Sequence, residues 1–292
     1  MSEVVLVSYS LNKIKFASPS KVDLSSLDSL SRVSYSDIFS HRPAEPCVSV
    51  KTVEGHRYDF ILSPKKSDKL FVVFSGYVDR KKLSPPVFQR WKWAERFPGN
   101  VLYVSDPSLY LNETLSLGWY IGTEKVDHLK NISAIVMEIA NHLGVKNSGI
   151  IGYGSSGGGY ASMRLADFIP EMTSIAINPQ TEIKKYSKVT VNSFLRACFD
   201  KKYDDFDFSL HSSRFNLMYD ANSLKEKRVI LVQNTVDTNH YTNHYLPYCA
   251  MRGYDGTTPI KSEKFNTLLF EHKEGHSGTE TKAVFSEIMG LL

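Results

Sequence analysis

Cysteine is scarce in this chain: three residues of 292, at Cys47, Cys198 and Cys249. An odd, widely spaced set provides neither a disulfide framework nor the close pairing of a zinc site, and it reads as three partly buried thiols in a reducing compartment. Long apolar runs are also missing. No stretch approaches the roughly 18 uninterrupted apolar residues of a membrane-spanning helix, so no transmembrane segment is expected. The opening Met-Ser-Glu-Val-Val-Leu-Val-Ser has neither the basic region nor the apolar segment of a secretory signal. These absences lead to the expectation of a cytoplasmic protein; peripheral contact with the inner membrane through partner proteins is compatible with them but not required. Internal repeats, low-complexity tracts and linker-like stretches are absent too, which favours a single domain over residues 1–292. Charge of one sign is in slight excess only, 35 Lys and Arg against 31 Asp and Glu, for a formal charge of +4. That balance mildly favours anionic partners. With no recognition motif beside it, it does not indicate nucleic acid.

The informative feature is residues 151–160, Ile-Gly-Tyr-Gly-Ser-Ser-Gly-Gly-Gly-Tyr. Within it, Gly154-Ser155-Ser156-Gly157-Gly158 matches G-x-S-x-G, the pattern that holds a nucleophilic serine on a strained strand-to-helix turn. Such a turn needs unusual backbone angles and close approaches that a Cβ would block. Register favours Ser156 over Ser155, because a nucleophile at Ser155 would put Tyr153 in the crowded position two residues earlier. A glycine-rich turn without chemistry matches the same letters, so the flanking segments decide.

Those segments fit. Residues 147–153 predict a short apolar strand entering the glycines. Before them, Val126, Leu129, Ile132, Ile135, Val136, Ile139 and Leu143 recur at spacings of three and four, predicting a helix over 125–143 closed by Gly144. After the turn, residues 160–168 are helix-competent and stop before Pro170, and 172–179 read as the next buried strand. Helix, strand, elbow, helix, strand is the core order of an α/β-hydrolase fold, a mostly parallel central sheet with helices on both faces. Residues 4–7, 13–16 and 58–62 read as antiparallel strands, and 69–74 and 100–105 as central ones. The segment 181–227 reads as a lid-like insertion over the elbow.

In this fold, one backbone N–H after the nucleophile and one from the loop after an early central strand form the oxyanion hole. That points to Gly157 together with Gly76 or Tyr77. The orienting acid and the base follow the serine in that order. Asp237 stands just past the strand at 228–233, whereas the rival carboxylates Asp204, Asp205 and Asp207 sit in a charge-mixed, solvated-looking segment. His276, flanked by Gly275 and preceding a carboxy-terminal helix over 280–291, is the expected base; His272 is its rival at the strand exit. His240 and His244 have the spacing of a metal pair, but no third ligand is evident, so no metal is expected and the two are expected to line the substrate pocket or its rim. Ser156, His276 and Asp237 would together form an acyl-enzyme, discharged by water in an esterase or by an alcohol in a transferase.

Three features favour transfer: the insertion at 181–227, the overall positive charge, and the basic run Arg80-Lys81-Lys82 with Arg90 and Lys92 among Trp91, Trp93 and Phe97. Such groups suit an anionic substrate, although a solvated lysine face has the same composition. Phe74-Ser75-Gly76-Tyr77, Ser105-Asp106-Pro107, Gly118-Trp119-Tyr120-Ile121-Gly122 and the elbow at 152–159 together make the chain similar, over roughly residues 70–165, to bacterial α/β-hydrolase-fold polysaccharide O-acetyltransferases. That branch includes capsule O-acetyltransferases and glycan-modifying proteins of accessory secretion systems. The resemblance implies acetyl-CoA as cosubstrate, with no tightly bound cofactor, and an anionic capsule polymer of N-acetylmannosamine-1-phosphate as acceptor, in association with other capsule biosynthesis proteins. No coenzyme A motif is visible, so the donor rests on the resemblance alone. A carboxylesterase or deacetylase with the same triad is the alternative. A binding protein on a hydrolase scaffold is the third reading, for which a missing triad member would be the cue.

Overall fold

The computed structural model describes residues 26–40, 43–277 and 280–292, and within them nine strands join in one sheet. These are β1 (Ser31–Arg32), β2 (Cys47–Val53), β3 (His56–Ser63), β4 (Leu70–Phe74), β5 (Asn100–Val104), β6 (Ile150–Ser155), β7 (Thr173–Ile177), β8 (Arg228–Asn234) and β9 (Phe265–Phe270). Their spatial order is β1-β2-β3-β5-β4-β6-β7-β8-β9. Only β3 runs antiparallel to its neighbours; all other pairs are parallel. The strands expected at 4–7 and 13–16 lie outside the described residues. Strand β2, absent from the expectations, follows from the Val48, Val50 and Val53 pattern and pairs with β3 from Cys47↔Leu62 to Val53↔His56.

Both faces of the sheet are covered, which is why its parallel strands read as continuous apolar runs. Leu70, Val72 and Phe74 of β4 pack with the helix His128–Leu143 and with Ala161 and Leu165. Phe71 and Val73 face the other way, towards Phe97 and the helix Lys282–Gly290, through Phe285 and Ile288. The helix expected from residue 125 begins instead at His128, because the Asp127 carboxylate accepts the free N–H groups of Leu129 and Lys130. It ends where expected, with Gly144 left-handed at φ 74°. The segment 181–227 contributes the helix Lys188–Phe199, whose Val191, Phe194 and Leu195 are buried. Phe194 meets Trp119 edge-on at 5.5 Å, so this segment is built into the core beside the elbow. The three cysteines are free and buried. Among the described residues, no helix is long and apolar enough to cross a membrane.

The helix leaving the elbow, Gly157–Leu165, is buried along its whole length. Its Arg164 makes a two-pronged bond to Asp127, 2.9 Å to Oδ1 and 2.5 Å to Oδ2, so one carboxylate caps one helix and anchors the other. Burial pushes the Asp127 carboxyl up, but the Arg164 bonds and the Arg164 and Arg214 charges outweigh it and hold it below its usual range. An acid whose folded pKa is depressed contributes stability above its unfolded value, near 3.8, and loses it as pH falls through the folded one. Arg164→Met is expected to cost about 3–5 kcal/mol at neutral pH, as for a broken buried ion pair. Urea unfolding at a series of pH values checks this, and the difference from the parent should shrink below that value.

Candidate active site

Strand β6 ends in a turn that almost no residue adopts willingly. Ser156 has φ 54° and ψ −122°, between Ser155 at the strand end and Gly157 at the first helical position. Two glycines make this turn sterically possible. A Cβ on Gly154 would lie 2.4 Å from the Gly158 carbonyl group, and one on Gly158 would lie 2.6 Å from the Phe74 oxygen. The two adjacent serines face different partners. Ser155 Oγ accepts from Arg90 Nη2 at 2.7 Å, while Ser156 Oγ lies 3.0 Å from His276 Nε2. His276 Nδ1 in turn lies 2.7 Å from Asp237 Oδ2. The structure thus brings Ser156, His276 and Asp237 together in one hydrogen-bonded line, although they stand on three separate loops. Ser156 and Asp237 are 7% and 6% exposed, and the His276 side chain is 34% exposed, so the imidazole is the part of the line open to an incoming molecule.

Each member is held by its neighbours. Asn234, fully buried at the end of β8, donates to the His272 and Gly275 carbonyls at 3.0 and 2.8 Å and accepts from the His272 and Val236 amides. It therefore ties the loop carrying His276 to the turn carrying Asp237. His272, the rival base, sits in this framework and contacts Glu274 N–H rather than Ser156. Asp237 accepts from a second imidazole as well, His240 Nδ1, at 3.1 Å. Burial pushes the Asp237 carboxyl up, but the bonds and charges of His240 and His276 outweigh it and hold it well below the usual carboxylate range.

Several expected site residues are placed differently. His240 does not line a pocket rim: it is 3% exposed, stacks on His276 at 4.0 Å between ring centres, and lies behind the line of three. His244 is fully buried, its Nδ1 accepting the Thr181 amide, so the two histidines do not converge as a metal pair. Asp237, His240 and His276 form the one group among the described residues whose ligand atoms lie within metal-binding reach of one another, and its nitrogens are already engaged with the carboxylate, Ser156 and Gln180. Arg80 is not a free cation for substrate. Its guanidinium donates to the Leu109 and Leu115 carbonyls at 2.9 and 2.8 Å, because a planar donor fork near unpaired carbonyls is captured by them. Lys81 and Lys82 are exposed on the turn after it, Lys82 being 3.4 Å from Asp79.

The Gly76 amide is likewise committed, donating to Gln89 Oε1 at 2.9 Å, while Gln89 Nε2 donates to the Tyr77 carbonyl. One carboxamide holds the Gly76 N–H and the Tyr77 carbonyl, so of the two candidate partners for Gly157 only Tyr77 N–H remains a candidate. Gly157 stands at the first position of its helix, where the N–H has no intrahelical partner. Gly76 has a different reason to lack a side chain: a Cβ there would lie 3.1 Å from the Ser155 oxygen. Sequence reasoning missed Gln89, Asn234 and Gln180, single polar residues at loop starts and strand ends with no motif around them. It also missed the partner of Arg90. That guanidinium donates to Glu280 at 2.5 Å, and Tyr153 hydrogen-bonds the same carboxylate. Burial opposes the Arg90 charge, and Glu280 with Tyr153 more than offsets it.

No family model and no curated protein matches the chain. Solved structures do. The capsule O-acetyltransferase of Neisseria meningitidis serogroup A aligns at 15% identity and a TM-score of 0.54, over 82% of this chain and 96% of that one. A histidine-to-alanine mutant of that enzyme in complex with CoA aligns at 15% identity and a TM-score of 0.55, over 84% and 94%. An S-formylglutathione hydrolase from Agrobacterium tumefaciens gives 14% and 0.53, over 84% and 91%. The Gap123 glycosylation-associated complex of Streptococcus agalactiae gives 16% and 0.57, over 85% of this chain and 46% of that one. At such identities the likeness is one of fold. The chain has the α/β-hydrolase fold.

If the hydrogen-bonded line activates Ser156, a fluorophosphonate should label Ser156 and not Ser155. Asp237→Asn should slow that labelling by roughly 10³- to 10⁴-fold, because the imidazole then loses its oriented tautomer. Mass spectrometry of the labelled peptide, with melting curves of both proteins, checks this; equal labelling of the two serines would overturn it.

Proposed function

We propose that this protein is a serine O-acetyltransferase that moves an acetyl group from acetyl-CoA, through an acetyl-Ser156 intermediate, to a sugar hydroxyl of an anionic capsule polysaccharide. The observation that carries the acyl-serine part of the reading is the Ser156–His276–Asp237 line, with 3.0 and 2.7 Å contacts at an elbow serine. The transfer part is supported by the likeness to the capsule O-acetyltransferase. In the first step Ser156 Oγ attacks the thioester carbon as its proton passes to His276 Nε2. The carbonyl oxygen takes the negative charge opposite the Gly157 and Tyr77 amides. The C–S bond then breaks and the CoA sulfur leaves with the His276 proton. In the second step an acceptor hydroxyl gives its proton to His276, its oxygen attacks the acetyl carbon, and Ser156 Oγ leaves and recovers the proton. Asp237, ionised throughout, holds the imidazole and supports its charge.

Donor and acceptor are supported by likeness and by chemistry. Among the solved structures of this fold, a histidine-to-alanine mutant of the capsule O-acetyltransferase is seen with CoA. A cavity of about 420 Å³, lined in part by Gln89, Trp93, His272 and Ser277, opens beside the His276 loop. Planar amides, hydroxyls and an indole are the groups that hold sugar rings. Arg90 and Glu280 line it as a paired couple and Glu274 adds a further carboxylate, which leaves it suited to the sugar more than to a phosphate. The phosphodiester charge of an N-acetylmannosamine-1-phosphate polymer is assigned to the exposed Lys81 and Lys82. The second reading, a carboxylesterase or deacetylase, is favoured by the likeness to the S-formylglutathione hydrolase.

Radiolabelled acetyl-CoA incubated with and without a capsule acceptor separates the two. Label should move to the polymer, and Ser156→Ala should abolish both transfer and the acetylated active-site peptide while leaving the fold intact. Label reaching only free acetate in both incubations would sink the transferase reading. Charge reversal at Lys81 and Lys82 together should raise the KM for the polymer by roughly tenfold, the scale of one lost charged contact pair. Acetyl-enzyme formation from acetyl-CoA should be unchanged.

A further inference from the structure

Beside the line of three runs a second chain of polar contacts. Trp119 Nε1 donates to Gln180 Oε1 at 3.0 Å. Gln180 Nε2 lies 3.0 Å from Ser156 Oγ and 2.7 Å from His240 Nε2. His240 Nδ1 then reaches Asp237, the carboxylate that also holds His276. Trp119, Gln180 and His240 are all buried. An indole nitrogen can only donate, so the Gln180 atom facing it is the carbonyl oxygen and the atom facing Ser156 is the NH₂. Its two hydrogens go one to Ser156 Oγ and one to His240 Nε2, and His240 therefore carries its own proton on Nδ1, towards Asp237. Starting from one indole, every proton in the ring has a single place.

We propose that Gln180 is a further catalytic residue, a fixed side-chain donor to Ser156 Oγ oriented by Trp119 on one side and by His240 on the other. The proposal rests on the acyl-serine reading of the site. With one lone pair of Oγ taken by the amide, the Ser156 proton points to its one remaining partner, His276 Nε2. As that proton leaves, the negative charge uncovered on Oγ faces an N–H that is already in place, until the Oγ–carbon bond passes the charge to the carbonyl oxygen. The same N–H faces Oγ when the carbon–Oγ bond breaks in the second half-reaction and the proton returns from His276. Gln180 thus acts at both steps without itself gaining or losing a proton. It is distinct from the Gly157 and Tyr77 amides, which address the carbonyl oxygen.

The test uses p-nitrophenyl acetate and compares the full-length protein with Gln180→Met, which keeps the side-chain length and removes the donor. Burst and steady-state phases report acylation and deacylation separately. Both should slow by roughly 10- to 100-fold, the scale of a lost donor at a reacting oxygen, while KM for the ester stays within about threefold. Trp119→Phe, which frees the amide to turn, should slow both phases in the same sense. The double variant should be no slower than Gln180→Met alone, because the two changes remove one interaction. Rates of Gln180→Met within about threefold of the parent would overturn the proposal, and additive losses would overturn the role given to Trp119. If Gln180→Met does not fold, Trp119→Phe carries the test, and parental rates in it would overturn the proposal. A parent protein that forms no acetyl-Ser156 under these conditions would instead sink the acyl-serine reading.

Discussion

The site depends on how closely the elbow helix lies on the sheet. Strands β4 and β6 are in register at Phe74↔Gly154, and the helix Gly157–Leu165 starts directly above that pair. Its first turn approaches so near that neither Gly154 nor Gly158 has room for a Cβ. The approach has two consequences. It holds Ser156 at a positive φ that costs of order 1–3 kcal/mol, offset by the fully buried helix that follows. It also puts the end of β4, and therefore the Ser75–Tyr77 loop, against the nucleophile, with a Cβ position on Gly76 only 3.6 Å from Ser156 Cβ. Nucleophile and candidate oxyanion donors meet because two strands end side by side and the helix between them cannot move away.

Once the backbone is fixed, buried polar groups do the positioning, and they are tightly constrained because an unpaired one in a low-dielectric setting is costly. Tyr120 shows how the contacts interlock. Its hydroxyl accepts the Ser75 amide at 2.7 Å and donates to the Val104 carbonyl at 2.8 Å, while its own amide donates to Asp106. The adjacent Trp119 turns to Gln180. Gly118 lies so near Ser108 and Asp106 that a Cβ would overlap them. The Gly-Trp-Tyr and Asp-Pro segments are thus one scaffold behind the site, steadying the candidate oxyanion loop through Tyr120 and Ser156 through Trp119 and Gln180.

Much of this was legible from residue order, and the reasons for the rest are physical. The elbow announces itself because its geometry demands glycine at set positions. Asp237 and His276 could be named as candidates because each follows an apolar strand, and strand ends in such a sheet converge. Arg80 was misread because composition treats an arginine near a loop as solvated, whereas this one reaches three-dimensional neighbours, the Leu109 and Leu115 carbonyls, that no local pattern reveals. His240 was misread for a related reason: its spacing to His244 with no third ligand suggested a pocket or its rim, and only the turn Asp237 caps shows it folding back onto the same carboxylate. Gln89, Gln180 and Asn234 carry no periodic or motif signal. Their only trace is a polar residue at the mouth of a buried strand or loop.

Transfer and hydrolysis use the same first step, so the difference lies in what occupies the space over His276 Nε2 when the acetyl-serine is formed. The buried contacts around Ser156 and Asp237 hold these two residues, and none selects between water and an alcohol. Selection therefore has to come from the open side, where the His276 ring is one-third exposed and the cavity beside it begins at Ser277. Water needs no site to reach the acetyl group. A hydroxyl held there by several contacts to its own sugar gains an effective molarity of up to roughly 10⁵–10⁸ M, which overwhelms the solvent. A transferase of this architecture needs no new catalytic group. It needs a grip on the acceptor, and on the proposed reading the residues around that cavity would supply it.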